Sequence, residues 1–170
     1  MGLMLDLQPG LGRALVVGGG HVAARKVRTL TEAGFEVTVV APEVLPEIRA
    51  RAAVAVIERP YTPAELDAEP GYALVFACTG DRKVNRQIGL ACRARRTPVL
   101  VADSQAESTV FTPAILRDGD LTVGVSTGGA SPSLARAVRE QIVQAIGTGW
   151  GERLTRARAE REERLGRTQE

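Results

Sequence analysis

Three stretches of the chain carry residue types whose spacing could do chemistry. Gly18-Gly19-Gly20-His21-Val22-Ala23 fits the pattern G-x-G-x-x-A. In that pattern the first glycine permits a tight turn and the second lets backbone approach a pyrophosphate. The small third residue lets a helix pack close to its strand. Gly18, Gly20 and the amides of His21 and Val22 would then face the phosphates of a dinucleotide. Asp103 follows an apolar run, Pro98-Val99-Leu100-Val101-Ala102. A carboxylate in that place can accept a proton, or it can cap a helix or turn. Ser126-Thr127-Gly128-Gly129-Ala130-Ser131-Pro132 is a second run of small residues entering a helix start. Its amides and hydroxyls suit carboxylates or phosphates, although a tight turn with Ser131 as N-cap accounts for the same residues.

Other residues stand near these three. His21, the sole histidine, reads as a loop residue whose backbone matters more than its ring. Thr79-Gly80-Asp81 ends another apolar run, where a sheet brings a loop to the far half of a dinucleotide. Asp81 serves that purpose or caps the next helix, and the sequence does not separate the two. The acid that binds a ribose usually sits about 20 residues past the glycines. That region reads Val40-Ala41-Pro42-Glu43, which makes Glu43 the nearest candidate, and residues 29–48 hold no arginine for a 2′-phosphate. NAD is therefore expected over NADP. Cys78 and Cys92, with one histidine, exclude a disulfide framework and a Cys- or His-rich metal centre. No metal is expected, and both thiols read as small buried hydrophobes.

Composition narrows the function classes. The 170 residues are 44% hydrophobic and 25% charged with a net charge of +2, the profile of an ordinary globular chain. Neither nucleic acid nor a membrane is an expected partner. There is no basic excess, the aromatics are one tryptophan, two tyrosines and three phenylalanines, and no run reaches the roughly 20 apolar residues of a span. No signal peptide is evident, so the expected location is the cytoplasm.

The elements that must position these residues alternate. Ala14–Val17 reads as a buried strand, Val22–Ala33 as an amphipathic helix stopped by Gly34, and 36–40 as a second strand, together one βαβ unit. The alternation continues with a short helix over 43–53, a strand at 54–57, a turn and helix piece at 61–67, a strand at 72–77, a helix over 84–95 and a strand at 98–102. Lys26 falls on the polar face of the first helix. The fold class is α/β, a doubly wound parallel sheet. After Asp103 the pattern predicts strands at 109–111 and 121–125 around a turn at 117–120, then a helix opened by Ser131-Pro132 with the stripe Leu134, Val138, Ile142. Residues 147–151 read as a hinge and 152–170 as a solvated or frayed helix.

With these motifs in place the chain resembles the siroheme synthase N-terminal domain family, the precorrin-2 dehydrogenases and sirohydrochlorin ferrochelatases. The resemblance rests on Val16-Val17-Gly18-Gly19-Gly20-His21-Val22-Ala23-Ala24-Arg25-Lys26, Val37–Pro42, Thr79–Asn85 and Val125–Arg136. It implies an NAD-binding Rossmann domain over 1–112, a small α+β dimerisation segment over 113–146 and a C-terminal helical piece over 147–170, shorter than is usual in the family. It also implies a homodimer that oxidises the tetrapyrrole precorrin-2 to sirohydrochlorin with NAD in siroheme biosynthesis, some members also inserting iron. Asp103 takes the place of the active-site aspartate. His21, Val22, Pro42 and Glu43 take those of cofactor contacts. In the reaction so implied, Ser126, Thr127, Gly128 and Ser131, with some of the arginines, would hold substrate carboxylates. Leu100 departs from an asparagine often found three residues before the aspartate, and the aromatic after it is displaced to Phe111. A non-catalytic NAD-sensing module would explain the glycine loop equally well, but not Asp103 or the 126–136 segment.

Overall fold

The computed structural model describes residues 2–167. They form two compact units, one ending at Val110 and the other beginning at Phe111.

The first unit contains β1 (Ala14–Val17), α1 (His21–Glu32), β2 (Val37–Val40), α2 (Pro46–Arg49), β3 (Val54–Ile57), β4 (Leu74–Ala77), α3 (Arg82–Ala94) and β5 (Val99–Val101). The five strands are parallel, in the order β3-β2-β1-β4-β5. β1, β2, β4 and β5 are buried at every position. Their uninterrupted Val, Leu and Ala runs suit a sheet covered on both faces. On one face Val27 and Leu30 of α1 and Ile48 of α2 pack with Val16, Val39 and Phe76. On the other, Ile88 and Cys92 of α3 pack with Leu15, Val75 and Val99. Winding runs outward from β1 to β3 and then resumes at β4 on β1's other side. The strand order therefore reverses between β1 and β4, and the crevice at their carboxyl ends is where such sheets hold ligands.

Two expectations shift in this unit. The helix expected over 43–53 is a single turn, Pro46–Arg49, followed directly by the loop into β3. Lys26, placed on a polar face by periodicity, is half-buried with its ammonium 5.7 Å from the Phe76 ring centroid. Burial lowers its pKa. Both cysteines are free and buried, which pushes each thiol up to about 11.

The second unit is a hairpin of β6 (Ala114–Asp118) and β7 (Leu121–Val125), then α4 (Pro132–Ile146) and α5 (Trp150–Arg167). The hairpin corrects the strand expected at 109–111. The amides of Thr109 and Val110 both donate to the Val99 carbonyl, at 2.7 and 3.2 Å. Those residues are thereby bound to the edge of β5, and the following Pro113 has no amide to extend a ladder. Pairing begins at Ala114 opposite Val125 and closes at Asp118 opposite Leu121. Gly119 takes the first loop position at φ +56, where a two-residue hairpin needs a residue that tolerates positive φ. Ser131 caps α4 by accepting from the Leu134 amide at 3.2 Å. α5 is a continuous helix whose residues 152–165 are mostly exposed, the solvated form of the expected helix; 168–170 lie outside the described residues, and the hinge contracts to 147–149. Its start is fixed by Asp118 Oδ2, which accepts from the Trp150 amide at 2.8 Å, and by the Trp150 indole donating to the Ile146 carbonyl at 2.8 Å. Among the described residues no helix is long and apolar enough to cross a membrane.

Candidate functional site

The three glycines after β1 do three different things. Gly18 adopts φ +123, and a Cβ there would lie 2.4 Å from the Cys78 carbonyl oxygen. Only glycine lets the end of β1 pass that close to the end of β4. Gly19 is tighter still, its Cβ position falling 1.9 Å from the Glu43 carbonyl oxygen. Its own carbonyl accepts from the Leu45 amide at 3.0 Å, so it clasps the loop after β2. The G-x-G-x-x-A pattern treats this position as free, and the uninterrupted glycine triplet was the available signal. Gly20 differs from both: it is exposed, and a Cβ there would meet nothing within 4 Å.

The same residue begins α1 without a side-chain cap, and the first turn of α1 carries no acid. α3 and α4, by contrast, are capped by Asp81 and Ser131. The uncapped amide turn beneath open space at Gly20 fits an anionic group such as a dinucleotide pyrophosphate. His21 and Val22 are exposed on that turn, while Ala23 is fully buried, as the pattern's third position requires. Pro42 and Glu43 are exposed on the segment clasped by Gly19.

Beyond β4 a polar cluster forms at the same edge of the sheet. The Cys78 amide donates to the Val17 carbonyl at 2.8 Å, joining this loop to the glycine turn. Asp81 accepts from the Lys83 and Val84 amides at 2.7 and 3.4 Å. It is therefore the cap of α3. Thr79 is held by Asn85, whose Oδ1 accepts from the Thr79 amide at 3.0 Å and from its hydroxyl at 2.7 Å. Asn85 is fully buried, and its Nδ2 donates to the Thr79 carbonyl at 3.0 Å and to Asp103 Oδ2 at 3.1 Å. Asp103 stands at the carboxyl end of β5 with its side chain 38% exposed. Its Oδ1 lies 3.8 Å from Arg82 Nη1, beyond hydrogen-bond reach. Arg82 is engaged instead by Glu107, to which Nη2 donates at 2.6 Å. That bond holds the Glu107 carboxyl below its usual range and raises Arg82. The loop carrying Asp103 is pinned by Ser108 Oγ, which accepts from the Val101 amide and donates to the Ser104 carbonyl, both at 2.9 Å.

Gly18, Gly20, Thr79, Gly80 and Asp103 thus follow three adjacent strands, β1, β4 and β5, and Asn85 links the last two loops. Periodicity placed Asn85 in a helix without marking it as special. Its role depends on a residue 18 positions away, which a local pattern cannot register.

Ser126, Thr127, Gly128 and Ser131 belong to the second unit. Ser126 Oγ accepts from the Gly128 amide at 3.2 Å, and Thr127 Oγ1 accepts from the Ser131 amide at 3.1 Å. Gly128 and Gly129 take φ of +61 and +84. These residues build a tight turn capped into α4, and the exposed edge of that turn is formed by Ser126, Gly128 and Ala130. Among the described residues no three His, Cys, Asp or Glu side chains gather as a metal site would require.

Comparison with known proteins gives concordant results. A family model described as "Putative NAD(P)-binding" matches residues 3–114, and one described as "Sirohaem biosynthesis protein central" matches residues 118–145. The chain is 44% identical over 144 residues to a siroheme synthase of Pseudomonas entomophila (strain L48), a match covering 83% of this chain and 30% of that protein. A siroheme synthase of Methylobacillus flagellatus is 41% identical over 140 residues, covering 81% of this chain and 29% of that protein. The chain therefore spans about a third of the length of these curated relatives. Among solved structures, one titled "SirC, precorrin-2 dehydrogenase" superposes with a TM-score of 0.72 at 29% identity, covering 89% of this chain and 74% of that one.

Proposed function

The chain belongs to the siroheme synthase N-terminal domain family, and from that premise we propose that it oxidises precorrin-2 to sirohydrochlorin with NAD in siroheme biosynthesis. The observation that carries this reading is Asp103, a half-exposed carboxylate on the strand next but one to the glycine loop, at the edge where an open α/β sheet holds its ligand. Gly20 and the amides of His21 and Val22 would hold the pyrophosphate. Thr79 and Gly80 would border the other half of the dinucleotide. Pro42 and Glu43 would lie toward the ribose, where a carboxylate disfavours a 2′-phosphate. Arg49, the first arginine after β2, is engaged with Glu58 and the Val44 carbonyl, which leaves NAD as the expected dinucleotide.

Bound NAD supplies the two-electron acceptor. Asp103 takes the ring proton released as precorrin-2 loses two electrons, and fixed positioning over the sheet edge supplies most of the acceleration. In the second unit, the turn formed by Ser126, Thr127, Gly128 and Ser131 would offer amides and hydroxyls to carboxylates.

The division of labour in this reading is dinucleotide binding over 1–112, dimerisation over 113–146 and a helical piece over 147–170, in a homodimer acting in the cytoplasm. Support for the dimer is the exposure of Leu134 on α4, 55%, above a hairpin covered only in part. Incubation with precorrin-2 and NAD should yield sirohydrochlorin and NADH in equal amounts. Dinucleotide binding without turnover would favour a sensing module instead.

A further inference from the structure

Asp103 is not positioned by its own strand alone. Every polar side-chain atom of Asn85 is engaged: Oδ1 with the Thr79 amide and hydroxyl, Nδ2 with the Thr79 carbonyl and with Asp103 Oδ2. The residue is fully buried, so these bonds are shielded and costly to break. They join the loop after β4, which borders the proposed dinucleotide site, to the carboxylate after β5. We infer that Asn85 is the positioning residue of the site, holding Asp103 by Oδ2 in fixed register with the Thr79–Gly80 loop and leaving Oδ1 to accept the proton.

The surrounding charges fit this division between the two oxygens. Arg82 lies near enough to approach Oδ1 but does not donate to it. Glu107 instead draws the guanidinium to itself at 2.6 Å, and Oδ1 feels Arg82 only across 3.8 Å. Arg86 reinforces that arrangement from α3, 3.9 Å from the same Glu107 oxygen. Oδ2 is thus the held oxygen and Oδ1 the working one. An amide suits the holding role because it donates without titrating. An aspartate at position 85 would accept from Thr79 but put a second carboxylate against Asp103.

This inference rests on the proposed reaction for its kinetic consequence, but its geometry can be read without turnover. The 170-residue chain is tested as wild type, Asn85→Ala, Asn85→Asp, Asp103→Asn and the Asn85→Ala/Asp103→Asn pair. Single-turnover rates with precorrin-2 and NAD are measured against pH, alongside the side-chain amide resonance of Asn85 in the ligand-free protein. The resonance should move as Asp103 takes up its proton and stop moving in Asp103→Asn. Asn85→Ala should lose about a hundredfold in turnover at saturating NAD, the scale of a misplaced reacting group. Asn85→Asp should displace the acidic limb of the rate profile toward higher pH by about a unit or more. In the pair, Asn85→Ala should cost nothing beyond Asp103→Asn.

An Asn85 resonance blind to Asp103, or additive losses with an unchanged profile, would make Asn85 a mere brace and overturn the inference. Full turnover in Asp103→Asn would instead overturn the proposed role of Asp103. The amide resonance would still decide for or against Asn85, and it needs no substitution at position 85.

Discussion

The two units bury their apolar residues to very different degrees. Among the described residues every buried apolar residue but one lies between Ala14 and Val101, and the exception is Ala135 on α4. Four of the five strands in the first unit are sealed at every position, whereas β6 and β7 contain no buried residue. A parallel sheet with helices on both faces can be complete in one copy. A two-stranded hairpin with one helix is marginal by itself. The first unit therefore has the rigidity that a site built to fractions of an ångström needs. The second has apolar surface left over, the state expected of a segment that finishes its core against another molecule.

The sharpest break of this contrast lies inside the glycine loop. Gly20→Val should cost about a hundredfold or more in dinucleotide affinity, the worth of two or so hydrogen bonds to a charged group. Its melting temperature should hold, since the added side chain meets open space. Gly18→Ala should do the reverse and melt the unit, because its Cβ has nowhere to go beside the Cys78 carbonyl. Calorimetric titration with NAD and thermal melts of both variants check the pair. Normal binding by Gly20→Val would reduce the loop to a turn.

Next in size is assembly. Light scattering at micromolar concentration should give twice the 18.1 kDa of one chain. Leu134→Glu, a change at a half-exposed position, should return it to a single copy while NAD affinity stays within about threefold. A monomeric wild type would leave the exposure of Leu134 unexplained.

Discrimination between cofactors should be smaller. With Glu43 near the ribose and Arg49 occupied, NAD should bind about tenfold tighter than NADP, since a like charge is disfavoured there. Equal affinities in parallel titrations would remove Glu43 from the site.

The smallest effect is a response to acid. Glu107 is held below its ordinary value of 4.5 by Arg82, so it stabilises the Asp103 loop above that pH. The contribution fades as pH falls through its lowered folded value. Amide resonances of Ser104 and Ser108 should shift in that window below pH 4.5 and not in Glu107→Gln.

Much of this was legible in the sequence because it is periodic or local. Continuous apolar runs announced β1, β2, β4 and β5, and Ser131-Pro132 announced the start of α4. Gly18, Gly20 and Ala23 announced the first turn, since their spacing after an apolar run is a local pattern. What stayed hidden depends on distant neighbours. The strand expected at 109–111 was lost to Val99, ten residues and more away, whose backbone claimed Thr109 and Val110 first. Lys26 has a polar side chain on a polar stripe, and only the position of Phe76 shows that it is half-buried. Gly19 matters for its clasp on Glu43, and Asn85 for its bond to Asp103. Asp81 could be read as cap or ligand until the amides of Lys83 and Val84 were seen to face it.

The most direct test of the account is the single-turnover rate of precorrin-2 oxidation at saturating NAD, wild type against Asp103→Asn. Asparagine keeps size and hydrogen bonding but removes basicity. The variant should therefore melt at nearly the wild-type temperature, bind NAD as tightly, and turn over about two to four orders of magnitude more slowly. Turnover in the variant at the wild-type rate, or no oxidation of precorrin-2 by the wild type, would contradict it.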